Sequence, residues 1–213
     1  MRKDTFFKNS FFLTASNITT GILGFIFSMY LGNIAGPEGL AVYGLVMPVY
    51  NLFICLMTAG IIAAISQRSA IYESTGEYNN LFKTINTVAF FNIIWSIIIG
   101  ILVFFLAPYI SKYGIKDPRT LNAIRVTCPA MVFIALSNIL KGFFYGTSRI
   151  TVPAIIDISE KAMRIITITL LIFIFKAQTL SSIVTLAFVS LAIGELQSLL
   201  LLYAYFKYTK RHM

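Results

Sequence analysis

The chain has 213 residues, 58% of them hydrophobic and only 12% charged, with a net charge of +9. A soluble domain carries about 25% charged residues, so a water-covered globule is excluded, and with it a soluble enzyme or soluble binding module. The basic excess points to membrane orientation and anionic lipid rather than nucleic acid, because the lysines and arginines sit at the ends of apolar runs.

No charged residue occurs between Lys8 and Glu38, between Glu38 and Arg68, or between Lys83 and Lys112. Each gap exceeds the roughly 20 residues that a helix needs to cross a bilayer core. Continuous runs of this length predict helices, since backbone in lipid must satisfy its own hydrogen bonds. A barrel would instead show alternating strands of about ten residues. The expected fold is an all-α integral membrane protein, a single six-transmembrane-helix bundle over residues 1–213.

The first expected span is 11–33, closed by the turn "NIAGPEG". Its basic flank resembles that of a signal peptide, but the apolar run is too long for a signal core, so an uncleaved helix is expected. Within it, Ser10, Thr14, Asn17, Gly21, Gly24 and Ser28 recur at alternating spacings of four and three, one stripe along a helix. Such a stripe is either a close-packing seam or the wall of a polar cavity. Asn17 of this stripe, and Thr20 three residues on, are candidate cavity residues.

The second span is expected at 40–66, followed by the polar connector "QRSAIYESTGEYNN", and the third at 83–107, followed by "PYISKYGIKDPRT". The fourth is expected at 122–146. Cys55 and Cys128 both fall in apolar runs, with neither disulfide framework nor metal-ligand spacing.

The fifth, 152–175, reads "VPAIIDISEKAMRIITITLLIFIF". The uncharged stretch from Ile165 to Phe175 is too short to cross alone, so the helix must carry Arg164 and Glu160 toward the bilayer. Asp157 and Lys161, and Glu160 and Arg164, are four apart and therefore neighbours on a helix. Either they snorkel at the interface with mutual salt bridges, or they line the mouth of a hydrated cavity.

The sixth span is expected at 180–206 and contains Glu195, with no basic residue close in sequence. A carboxylate at that depth needs a proton, or a basic partner from another helix. It is a candidate ion-coupling position or a packing carboxylate.

With the N-terminus inside, the inner ends hold Arg2, Lys3, Lys8, Arg68, Lys83, Lys141, Arg149, Lys161, Arg164, Lys207, Lys210 and Arg211. The outer ends hold Lys112, Lys116, Arg119, Arg125 and Lys176. The excess places both termini in the cytoplasm, in a multi-pass protein of the cell membrane. The one histidine is His212 in the tail, so no Ser-His or Cys-His pair forms in the bilayer. No glycine-rich phosphate loop is present. No enzyme activity, cofactor or metal is expected.

Three phrases together, "TTGILGFIFSMYLGNIAGPEGLAVYGLVMPVYNL", "LSNILKGFFYGTSRITVPAIIDISEKAMRI" and "IGELQSLLLLYAYFKY", resemble the N-terminal half of the stage V sporulation protein B family. That family belongs to the multidrug, oligosaccharidyl-lipid and polysaccharide exporter superfamily, and the resemblance covers nearly the whole chain. Its pattern matches Lys141, Gly142, Phe143, Phe144 and Gly146, then Pro153, Glu160 and Arg164. The resemblance implies that these line the central cavity or its inner entrance. It implies one lobe of a two-lobed exporter that flips a lipid-linked cell-wall or spore-cortex precursor.

Lys141 and Arg164 would then contact an anionic head group, with Glu160 orienting Arg164. Gly21 stands where relatives often carry arginine, so one basic group of the pattern is missing. Family members are about twice this length, so a homodimer or a separate second-half chain is the expected partner. Cation-coupled multidrug export, a non-transporting scaffold and a truncated remnant are the competing expectations.

Overall fold

A computed structural model describes the backbone of residues 3–212, and the side chains from Phe7 onward except Lys8. Arg2 lies outside the described residues, as do the side chains of Lys3 and Lys8. Every regular element among the described residues is helical. The helices are α1 (Lys3–Thr58), α2 (Ile61–Thr75), α3 (Tyr78–Tyr109), α4 (Leu121–Gly146), α5 (Thr151–Phe175) and α6 (Leu180–His212). A π-helical turn, Ile110–Ile115, and a 3-10 turn, Pro118–Thr120, join α3 to α4.

Four stretches are long and apolar enough to cross a bilayer: Asn9–Thr75, Tyr78–Ile115, Pro118–Gly146 and Leu180–His212. The expected spans at 11–33 and 40–66 and the first part of the connector after them, to Thr75, form one 67-residue stretch. Straight, it would be about 100 Å long, against a bilayer core of about 30 Å. It does not run straight. Gly36 adopts φ 71, ψ 178, a region open essentially to glycine alone, and Pro37 follows without an N–H to continue the ladder. The rings of Phe27 and Tyr43 lie 5.9 Å apart, whereas sixteen residues of straight helix would separate them by about 24 Å. α1 is therefore a hairpin of two arms, 3–35 and 37–58.

A second break falls inside the run expected as 40–66. Gly60 is left-handed, at φ 74. Carbonyls at the end of α1 lose their helical donors there, and α3 supplies replacements. Asn92 Nδ2 donates to Met57 O at 2.9 Å and Trp95 Nε1 to Leu56 O at 3.3 Å.

α4 is the central helix and touches all the others. It meets α2 through Gly142 and Gly146. A Cβ at Gly142 would stand 2.9 Å from Ile65 Cβ, and one at Gly146 would fall on the Ser66 carbonyl. Two apolar clusters form the core. One gathers Leu31, Val46, Met131, Ile168, Phe188 and Leu191. The other gathers Phe82, Phe143, Phe144, Ile156, Leu202 and Phe206.

Candidate functional site

Between those clusters lies a polar layer. On α5 it falls between Ile156 and Ile168, and on α6 between Leu191 and Leu202. Glu160, Arg164 and Glu195 occupy it, at 4%, 7% and 6% exposure. Charged side chains this deep mark function or tight pairing in a membrane protein.

The pairing differs from the i,i+4 expectation. Lys141 on α4 meets Asp157 on α5, Nζ to Oδ1 at 2.7 Å. Lys161 turns to its neighbour Glu160, Nζ to Oε2 at 2.7 Å. Glu160 therefore does not orient Arg164. Its other oxygen, Oε1, is buried without a hydrogen-bond partner.

Arg164 reaches the hairpin of α1 instead. Its Nη2 donates to the Tyr43 hydroxyl, and the guanidinium carbon lies 4.2 Å from the centre of the Phe27 ring. A cation over an aromatic face is stabilised when desolvated, so the two arms of α1 hold Arg164 from one ring each. Its Nε remains without a partner.

Glu195 makes no hydrogen bond or ion pair with the described residues, so of its two expected solutions, a proton or a basic partner on another helix, no partner stands within ion-pair distance. It lies within electrostatic reach of Glu160, Lys161, Lys141 and Asp157. Tyr50 faces the same centre, in reach of Glu195, Arg164, Glu160 and Tyr43, and its hydroxyl is unpartnered. The neighbours of Glu195 in sequence diverge. Gln197 Nε2 donates to Ser159 Oγ at 3.0 Å, while the Ser198 hydroxyl is buried and unpartnered. Gly194 lets α6 approach α5 here, since a Cβ on it would stand 3.0 Å from Glu160 Oε1.

The structure thus gathers Lys141, Glu160, Arg164 and Glu195 and leaves two sequence candidates aside. Asn17 is exposed and Thr20 half-buried, and Thr20 Oγ1 donates to the Asn17 carbonyl at 3.0 Å within α1. Neither shares a hydrogen bond or ion pair with the buried charges. Among the described residues nothing packs against the stripe at Gly21 or Gly24, where an added Cβ would meet nothing within 4 Å. Tyr43, Tyr50, Phe27 and Gly194 were not foreseen. Tyr43 and Tyr50 are seven residues apart, two helical turns on one face, and that recurrence of hydroxyls in an apolar run is a signal for them.

Chemically, the layer offers one guanidinium with spare donor capacity, a carboxylate oxygen and a carboxylate without partners, and free hydroxyls. It offers no histidine and no thiol–base pair.

The family model for polysaccharide biosynthesis proteins matches residues 6–213. The chain is 29% identical over 210 residues to stage V sporulation protein B of Bacillus subtilis, covering 99% of this chain and 40% of that protein. It is 24% identical over 215 residues to the lipid II flippase MurJ of the same organism, covering 95% of this chain and 39% of that protein. The chain therefore spans about two fifths of the length of these curated relatives. No solved structure matches it significantly.

Proposed function

Because the chain belongs to the polysaccharide biosynthesis protein family, we propose that it acts as one lobe of a flippase. That flippase would carry a lipid-linked saccharide precursor of the cell wall across the cytoplasmic membrane. The chain crosses six times: through the two arms of α1, then α3, α4, α5 and α6, with α2 extending the second arm. The Lys/Arg excess puts both termini in the cytoplasm. A second lobe, from another copy or a separate chain, completes the groove, as lobes related by an axis along the membrane normal do in exporters built from repeats.

Flipping requires no covalent step. The head group needs a polar path while its hydrocarbon tail stays in lipid. Arg164 is the contact for an anionic head group. Lys141, tied to Asp157, stands at the inner entrance, and Glu195 is the coupling position for a proton or a small cation. The observation that carries this reading is the buried layer itself, with a guanidinium and a carboxylate that make no ion pair among the described residues. The lone Glu195 also favours a second reading, cation-coupled export of small cationic compounds. Competition between such compounds and a lipid-linked saccharide in vesicles separates the two.

The test is Arg164→Ala in proteoliposomes, with Arg164→Lys beside it. Removing a charge-assisted contact worth about 1.5–3 kcal/mol should slow translocation roughly ten- to a hundredfold. Elution and melting temperature should stay close to wild type, and lysine should restore part of the rate. Full-rate translocation by a well-folded Arg164→Ala protein defeats the proposal.

A further inference from the structure

We propose a binding site for one anionic glycerophospholipid on the outer face of α3, α4 and α6, away from the charged layer and independent of the flippase reading. An apolar groove of about 310 Å³ runs between these helices, lined by Ala89 and Ile93 of α3, Leu136 of α4, and Leu200 and Tyr203 of α6. It ends at Phe206, whose ring packs 5.8 Å from that of Phe82. On the far side of Phe82 a polar recess opens, lined by Lys83 and Lys210. The Lys210 ammonium lies 5.2 Å from the centre of the Phe82 ring. Groove and recess thus flank a pair of packed, buried aromatic rings, Phe82 and Phe206.

Its dimensions fit a lipid. On α3 the lining passes from Ile93 back to Lys83, and on α6 from Leu200 forward to Lys210, ten residues on each helix. Ten helical residues span about 15 Å, half of a bilayer core of about 30 Å. Two antiparallel helices therefore change from apolar to cationic over the same rise, about the thickness of one monolayer's hydrocarbon. An acyl chain fills the groove while its phosphate meets the lysines.

The charge selects an anionic head group. The recess holds two lysines and one acid, Glu77, and Glu77 Oε2 already accepts from Asn80 Nδ2 at 2.7 Å. Exposed Lys207 lies one turn from Lys210 on α6. A second copy of this chain is disfavoured as the occupant, because a twofold contact through this face brings lysines against lysines.

The experiment is native mass spectrometry of the full chain with phosphatidylglycerol and phosphatidylcholine of identical acyl chains. We expect one phosphatidylglycerol to be retained in preference to phosphatidylcholine. Lys83→Gln/Lys210→Gln should reduce that preference roughly 30-fold, about 1 kcal/mol for each basic residue at the surface. Lys112→Gln/Lys116→Gln, at the other end of α3, should leave it unchanged. Ala89→Phe, which fills the groove and keeps both lysines, should expel the lipid, with the melting temperature followed through Trp95 fluorescence. Equal retention of the two lipids overturns the proposal. So does a Lys83→Gln/Lys210→Gln variant that keeps the preference, or a lipid-free species at twice the mass.

Discussion

At the α2–α4 contact, glycine removes side chains so that two backbones meet. At the α5–α6 contact, glycine makes room for a carboxylate. Gly142 and Gly146 face Ile62, Ile65 and the Ser66 carbonyl, whereas Gly194 faces Glu160. The first pair follows the rule that small residues let membrane helices pack closely without a hydrophobic driving force between them. The second uses the same device to bring a buried charge against a neighbouring helix. Glycine in a membrane helix therefore does not by itself separate scaffold from site, and what stands opposite the missing side chain does.

The same substitution at both contacts tests this difference. In Gly146→Ala the new methyl falls on a backbone carbonyl, which cannot step aside. Its cost should reach the upper part of the about 1–3 kcal/mol typical of overpacked cores. A clear fall in melting temperature, read from Trp95 fluorescence, is expected. An unchanged melting temperature would mean that α2 yields easily and that this glycine contact is not what fixes it to α4.

In Gly194→Ala the methyl meets the end of a flexible side chain, 3.0 Å from Oε1 and 3.4 Å from Cγ of Glu160. Glu160 can shift by a few tenths of an ångström, so the stability change should fall at or below the lower end of the about 1–3 kcal/mol range. Under the proposed flippase reading, translocation should fall by more than stability suggests, because the Glu160 oxygen without a hydrogen-bond partner is displaced. If Gly194→Ala melts as low as Gly146→Ala while the residual folded protein translocates normally, both glycines belong to the scaffold and the comparison collapses.

The sequence made one side of this contrast legible. Glu160, Arg164 and Glu195 stand out because charge in a hydrocarbon-length run is costly, and the fold does bring them together with Lys141. Their partners were not legible. Helical spacing sees only neighbours on one helix, so it proposed Asp157 with Lys161 and Glu160 with Arg164. The observed Lys141–Asp157 pair instead crosses the turn between α4 and α5. Arg164 found Phe27 and Tyr43 only because α1 folds back at Gly36.

The break at Gly60 is silent in hydropathy, since lipid demands apolar residues on both sides of it. Only the glycine in "MTAGII" hints at it. The stripe from Ser10 to Ser28 runs along the first helical arm of α1. Periodicity says which residues share a side, however, and not what covers them. In this chain the stripe stays open.

The smallest expected effect lies at the end of the molecule farthest from the lipid groove, where the links are solvent-exposed and need no glycine. Arg119 bridges Asp117, at 2.8 Å, and Glu38 beside the α1 bend, at 3.2 Å. Its carbonyl accepts from Ser181 Oγ at 3.3 Å. The hydrogen bonds from the Arg119 side chain hold the Asp117 carboxyl below its usual range, with burial opposing them. A group whose pKa is lowered by folding contributes stability above its unfolded value, about 3.9, and that contribution disappears as pH falls through the lowered value. Asp117→Asn should therefore melt slightly below wild type at pH 7, and the two curves should converge below about pH 4. The gap at pH 7 should be small, because exposed ion pairs contribute little and are screened by salt. Asparagine keeps the Oδ1 that accepts from the Arg119 N–H at 3.0 Å, so a gap that persists in acid would show that the charge of Asp117 is not what holds this end, and Asp117→Ala, which removes the cap as well, should then melt lower still at every pH.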